Sequence, residues 1–181
     1  MSVKEIVHYG DSILRKKCKN VTRSDDLSVL IDDMKDSMYE AEGIGLAANQ
    51  IGVNKNLFIV DISHTDDNEF ARVFINGKIL DSEGESIYSE GCLSLPNLSF
   101  DVKRPEKITF NYLNENREEN TETFDGLIAR AIQHEVDHLN GILIIDRVSN
   151  VSKIPFENEI RKIKQSSSEK SKLKIKPKIY L

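Results

Sequence analysis

The segment DGLIARAIQHEVDHLNG, residues 125–141, constrains this chain more than any other stretch. It reads as a helix that Asp125 can cap and Gly141 can close. His134 and His138 are four positions apart, so they share one helical face, one turn from each other. Two imidazole nitrogens so placed can meet one cation at about 2.0–2.1 Å. Glu135 follows the first histidine and can reach a water on that cation without displacing it, as a general base must. Two histidines do not complete a site. The rest of the chain has to bring a third ligand to this helix.

Several residues compete for that place. The extended pattern H-E-x-x-H-x-x-G-x-x-H would need a histidine where Ile144 stands, although Gly141 fits its glycine. A downstream glutamate, Glu157 or Glu159 in PFENEI, would make a zinc endopeptidase. Cys92 in EGCLSLP offers a thiolate, a strong soft ligand for zinc or iron(II), on a glycine- and proline-flanked stretch that can bend toward a helix. Cys18, among lysines in KKCKN, reads as an incidental thiol. With only two cysteines, free thiol, metal ligand or reactive group is a better expectation than a disulfide.

A length of 181 residues suits one domain with a real core. Charged residues make up 30% and apolar ones 39%, an ordinary globular balance. The net charge of −5 argues against a general nucleic-acid binder, and no DNA partner is expected. No apolar run approaches the roughly 18–20 residues that cross a bilayer, so no membrane association is expected. The beginning, MSVKEIVHYGDSILRKK, lacks an apolar signal region and carries Glu5 and Asp11, which points to the cytoplasm.

The remaining texture is mixed. TRSDDLSVLIDDMKDSMYEAEG places Leu27, Leu30, Ile31, Met34 and Met38 on one stripe, a helix that Ser24 or a neighbouring aspartate can cap and Gly43 can end. LFIVDI, RVFI, KIL, KITFNYL and TETF read as short strands. ILIIDRV reads as a short buried strand, and KIPFENEIRKIKQ as a third helix starting near Pro155. The expected class is α+β: small antiparallel sheets packed around a central metal-binding helix, with an N-terminal and a C-terminal helix. One catalytic domain is expected over residues 1–165. QSSSEKSK reads as a polar break before a basic tail, residues 166–181.

Three stretches, GIGLAANQ at 43–50, EGCLS at 90–94 and QHEVDH at 133–138, together resemble the signature motifs of peptide deformylases. IVHYGDSILRKKCKNV and HLNGILIIDRVS are also similar to that family, so the resemblance runs to about Ser149, with the short motif spacing of compact bacterial members. It implies Cys92, His134 and His138 as ligands of one divalent metal, usually iron(II), with zinc, nickel or cobalt accommodated. It implies N-formylmethionyl nascent peptides as substrate. Glu135 would move the proton, while the side-chain amide of Gln50 and the backbone N–H of Leu93 would serve the oxyanion. Gly45 and Gly91 would offer main-chain groups to an extended peptide, and Glu90 and Arg104 would form an ion pair bracing the cysteine loop. Ile44, Leu127, Arg130 and Ala131 would line the methionine pocket.

Two positions depart from the usual pattern. Arg130 stands where many members carry an apolar residue; its stem is expected at the pocket mouth and its head against substrate residues beyond the methionine. Ser99 stands near a place where some relatives have a peptide-contacting arginine, which puts that contact in doubt. The end of the chain, KSKLKIKPKIYL, alternates lysines with Leu173, Ile175 and Ile179. That pattern suits a solvated extension, an edge strand, or a ribosome contact through lysines that neutralise phosphates.

Overall fold

The computed structural model describes residues 2–65 and 70–175, with side chains as far as Ser171. Its elements in chain order are α1 (Ser28–Glu40), β1 (Gly45–Ala47), β2 (Leu57–Val60), β3 (Arg72–Glu83), β4 (Ser86–Gly91), β5 (Ser99–Arg104), β6 (Lys107–Leu113), β7 (Glu119–Asp125), α2 (Gly126–Leu139), α3 (Asn150–Lys153) and α4 (Glu157–Ile175). The strands form a five-stranded antiparallel sheet, β1-β2-β3-β6-β7, and a separate hairpin, β4-β5. This is the α+β arrangement expected.

The run LFIV explains how the layers stack. All four residues are buried because both faces of the sheet are covered. Phe58 and Val60 join Phe74, Phe110, Tyr112 and Phe124 beneath Ile128, Ala129 and Ile132 of α2. Leu57 and Ile59 turn the other way, with Val73 and Ile75, against Ile31, Met34 and Met38 of α1. Phe58 stacks on Phe74 with ring centroids 4.8 Å apart, and β6 alternates Ile108, Phe110 and Tyr112 inward. A third cluster joins Phe100 and Val102 of β5 to Leu14, Leu95, Leu143, Ile144 and Ile145, with Phe156, Ile160 and Ile163 packed on it.

Several local expectations are corrected. RVFI and KIL are one strand, continuous past a register shift between Ile75 and Lys78, where Asn76 takes φ 54°. The first helix starts at Ser28 with Leu27 in the N-cap position, and the neighbouring Asp26 accepts from the Ser28 N–H at 3.0 Å, so an aspartate caps the start as expected. Its left-handed terminal residue is Glu42 (φ 55°) rather than Gly43, whose N–H donates to Met38 O at 2.9 Å. Asp125 holds the N-cap position of α2 but makes no side-chain capping bond. ILIIDRV is a 3-10 turn, Ile144–Asp146, not a strand: Asp146 reaches back to accept from the Leu143 N–H at 2.8 Å and so closes the turn.

The polar stretch after residue 165 is not a break either. It continues α4, and its serines face the N-terminal segment. Ser167 donates to His8 O at 2.8 Å, Ser168 to Gly10 O at 3.2 Å and Ser171 to Asp11 Oδ2 at 2.5 Å. Helical backbone through Ile175 replaces the edge strand for that part of the tail; residues 176–181 lie outside the described residues.

Gly141 ends α2 as expected, at φ +75°, with Ile142 N–H donating to Asp137 O at 2.9 Å. A β-carbon there would lie 2.7 Å from Arg15 O. Gly141→Ala is expected to lower the unfolding free energy by at least about 1–2 kcal/mol, from the left-handed backbone alone. Chemical denaturation of the two proteins measures this; equal midpoints would refute it.

Candidate metal centre

α2 lies with one face on the aromatic layer and turns His134 and His138 toward the loop that follows β4. A turn with Leu95 N–H donating to Cys92 O at 2.9 Å brings the cysteine back over the helix. Cys92 Sγ is 3.2 Å from His138 Nε2, and the ligand atoms of Cys92, His134 and His138 all lie within 4.8 Å of one another. Thiolate plus two imidazoles is a donor set for zinc or iron(II). Glu157 and Glu159 are exposed on α4 and take no part in this cluster. Cys18 is buried in the core, where burial pushes its thiol up to about 11, and both cysteines are free.

Glu90 organises the surroundings. Its Oε1 accepts from Arg104 Nε at 2.7 Å and from an Arg130 guanidinium nitrogen at 2.6 Å. Its Oε2 accepts from Arg104 at 2.9 Å and from His134 Nδ1 at 3.1 Å. With Nδ1 committed to Glu90, Nε2 is the ring nitrogen left to face a cation. Arg104 also donates to Asp137 at 2.8 Å, and Asp137 pairs in turn with Arg147. Burial pushes Glu90 up, yet the bonds from His134 and Arg104 outweigh it and hold the carboxyl at about 2. Burial likewise pushes His134 down, but its bonds to Cys92 and Glu90 outweigh that and raise it well above the ordinary value. His138 is driven well below its ordinary value by burial first, then by His134, Arg104 and Arg15.

Arg130 is placed otherwise than expected. It borders the pocket, but its side chain is buried and its head is bonded within the protein. Besides Glu90, the guanidinium donates to Val102 O at 3.0 Å, to Ser86 O at 3.1 Å and to Ser86 Oγ at 2.6 Å, beneath the Tyr88 ring. A buried guanidinium needs acids and carbonyls, and these lie on the hairpin rather than in solvent. The head is therefore committed to the protein and not offered to residues beyond the methionine.

The remaining residues surround a cavity of about 700 Å³. Ile44, Gly45, Leu127 and Ala131 line it, together with Tyr88 and Gly91 of β4 and Leu93, Leu98 and Ser99 beyond that strand. Glu135 is buried, Oε2 of its carboxyl lacks a partner among the described residues, and burial raises its pKa to about 7. Gln50 accepts from the Ala47 N–H at 2.8 Å through Oε1, which fixes the amide so that Nε2 points toward Ser94 Oγ at 3.2 Å. The glycines have local reasons. A β-carbon on Gly45 would sit 2.6 Å from Glu135 Oε1, and one on Gly43 would sit 2.8 Å from Leu93 Cδ1. β1 and β4 each pair with one strand only, so the cavity lies between two sheet edges.

Some supporting residues escaped sequence reasoning. Asn49 donates to His138 O at 2.6 Å and steadies the end of α2. Asp137 lies three positions after His134, on a related face, and that spacing was a usable signal. Arg147 and Ser86 carried no local signal; only the fold brings them in.

The model of the family described as polypeptide deformylase matches residues 3–153. The chain belongs to the polypeptide deformylase family. A peptide deformylase of Thermodesulfovibrio yellowstonii is 44% identical over 162 residues, covering 89% of this chain and 98% of that one. One of Clostridium botulinum is 49% identical over 150 residues, covering 82% and 99%. Among solved structures, a deformylase from Legionella pneumophila superimposes with a TM-score of 0.83 at 37% identity, over 97% of this chain and 100% of that one. One from Thermus thermophilus gives 0.83 at 35% identity, over 91% and 99%. The activity is thus metal-dependent hydrolytic removal of the N-formyl group from nascent polypeptides, and the endopeptidase alternative is not favoured.

Glu90 gives a pH prediction. A carboxyl held at about 2 when folded, against an ordinary 4.5, adds stability that is fully present above 4.5 and lost as pH falls toward 2. Glu90→Gln is expected to be less stable at neutral pH and to show a shallower loss of stability between those values. Urea unfolding across that range tests it; identical acid limbs would remove Glu90 as the source.

Proposed function

We propose that Cys92, His134 and His138 hold one divalent ion, iron(II) in the cell, and that Glu135, Gln50 and Leu93 carry the reaction on N-formylmethionyl chains. The observation behind this reading is the convergence of a sulfur and two imidazoles within 4.8 Å, beside a buried carboxylate with an unpartnered oxygen. Zinc, nickel or cobalt suits the same donors. A cation held there would supply Lewis-acid polarisation of the formyl carbonyl and activation of water.

The protein's own groups would do the rest. The extended peptide adds along the edges of β1 and β4, using main-chain groups at Gly45 and Gly91. Its methionine side chain enters against Ile44, Leu127, Ala131 and the stem of Arg130. Glu135 takes a proton from the attacking water, whose oxygen bonds to the formyl carbon. The carbonyl oxygen gains negative charge, and Gln50 Nε2 and the Leu93 N–H donate to it. Glu135 then delivers the proton to the amine as the C–N bond breaks. Formate and a free methionyl amine result.

Nascent chains place the work in the cytoplasm, and among the described residues no helix is long and apolar enough to cross a membrane. The lysine-rich end of the chain, a basic C-terminal tail, suits contact with ribosomal RNA. Replacing Lys174, Lys176 and Lys178 by glutamate is expected to weaken co-sedimentation with ribosomes; undiminished binding would end that idea.

Protein purified without oxygen is expected to release formate from a formyl-Met tripeptide and to contain one iron per chain. Glu135→Ala should abolish release while keeping metal. Cys92→Ser should lose metal as well. Gln50→Ala should slow turnover by about 10²–10³. Metal loss on Glu157→Ala or Glu159→Ala, with Cys92→Ser unaffected, would overturn the ligand assignment.

A further inference from the structure

The two walls of the cavity belong to different parts of the core. α2 buries Ile128, Ala129, Ile132 and Leu139 with the five-stranded sheet. The apolar side of the hairpin, Phe100 and Val102, is buried in the cluster beneath α4 instead. What ties α2 to the hairpin is a seam of long polar side chains. Gln133 donates to Pro105 O at 3.0 Å, Asp137 accepts from Arg104 at 2.8 Å, and His134 donates to Glu90 at 3.1 Å. Arg130 supplies the rest of the seam, reaching Glu90 and Ser86 on β4 and Val102 on β5 from one planar group.

We propose that Arg130 is a strut that sets the separation of these two walls, and so determines specificity for the first side chain of the substrate. A guanidinium is a rigid fork with fixed donor directions, so bonds to three hairpin residues fix distance as well as contact. Arg130 lines the same cavity as Leu127 and Ala131 of α2 and Tyr88 of β4. An apolar side chain of similar volume would fill the space without holding the hairpin at a set distance. The cavity would then adapt to side chains of other shapes. The inference rests on the assignment of this cavity to the formylmethionyl side chain.

The test is steady-state formate release from formyl-Met and formyl-Phe tripeptides with identical downstream residues. Arg130→Leu is expected to raise KM for formyl-Met about tenfold, with kcat within about twofold, and to shrink the preference for formyl-Met over formyl-Phe by a similar factor. Preference at the second and third residues should not change, because the head of Arg130 does not face them. Arg130→Lys, a point charge that can hold one wall contact at a time, should fall between. Ser86→Ala removes one anchor without emptying the seam, and should shift KM and preference in the same direction by less; it carries the test if Arg130→Leu does not fold. Wild-type KM and preference in both variants would overturn the strut. So would a fall in kcat alone, which would mean that Arg130 acts through Glu90 on the metal ligands. A wild-type enzyme indifferent to methionine or phenylalanine would remove the cavity assignment, and the strut's role with it.

Discussion

The carboxylate of Glu90 is the point on which the centre depends. Each of its oxygens accepts two hydrogen bonds, which uses the full accepting capacity of the group. Taking such a charge out of water is expensive, and removing one partner from a buried set of this kind typically costs about 3–5 kcal/mol. With all four bonds made, the carboxylate has one orientation. It passes that orientation to His134, to both arginines and, through Arg104, to Asp137 and Arg147. Under the proposed assignment, a ring held in this way is already oriented for its cation.

The sheets contribute through what they leave unpaired. An open strand edge is ordinarily a hazard, because it invites another chain to pair with it. Here β1 and β4 turn such edges toward one cavity, and under the proposed function the invited chain is the substrate. Gly45 permits a close approach: without a β-carbon, the strand lies directly against the Glu135 carboxyl.

Much of this was legible in the sequence, and the failures have physical causes. The metal helix, its glycine stop and the aromatic strands depend on short-range periodicity, which a sequence displays openly. β4 and β5 were missed because they carry few apolar residues: β5 alternates, but the third residue it turns inward after Phe100 and Val102 is the charged Arg104, while most of β4 is exposed. ILII looks like a strand by composition, but backbone bonds and the Asp146 side chain close it into a turn. The serines of α4 look like a linker until the N-terminal segment is seen lying beneath them. Cys92 drew notice by its soft thiolate and its motif, not by its spacing from the histidines, and the fold brings it within reach of them. The head of Arg130 was misplaced because its partners, Ser86 and Val102, lie on strands that were not recognised.

The clasp between the two ends of the chain carries one more implication, for how the protein comes into being. Val7 and Tyr9 donate to the backbone oxygens of Gln50 and Ser94, and the segment containing them is clasped by Ser167, Ser168 and Ser171. Partners some 160 positions apart in sequence are joined here, and contacts of that span form late. The strand of chain that braces Gln50 and Ser94 therefore takes its final place only once α4 has docked on it.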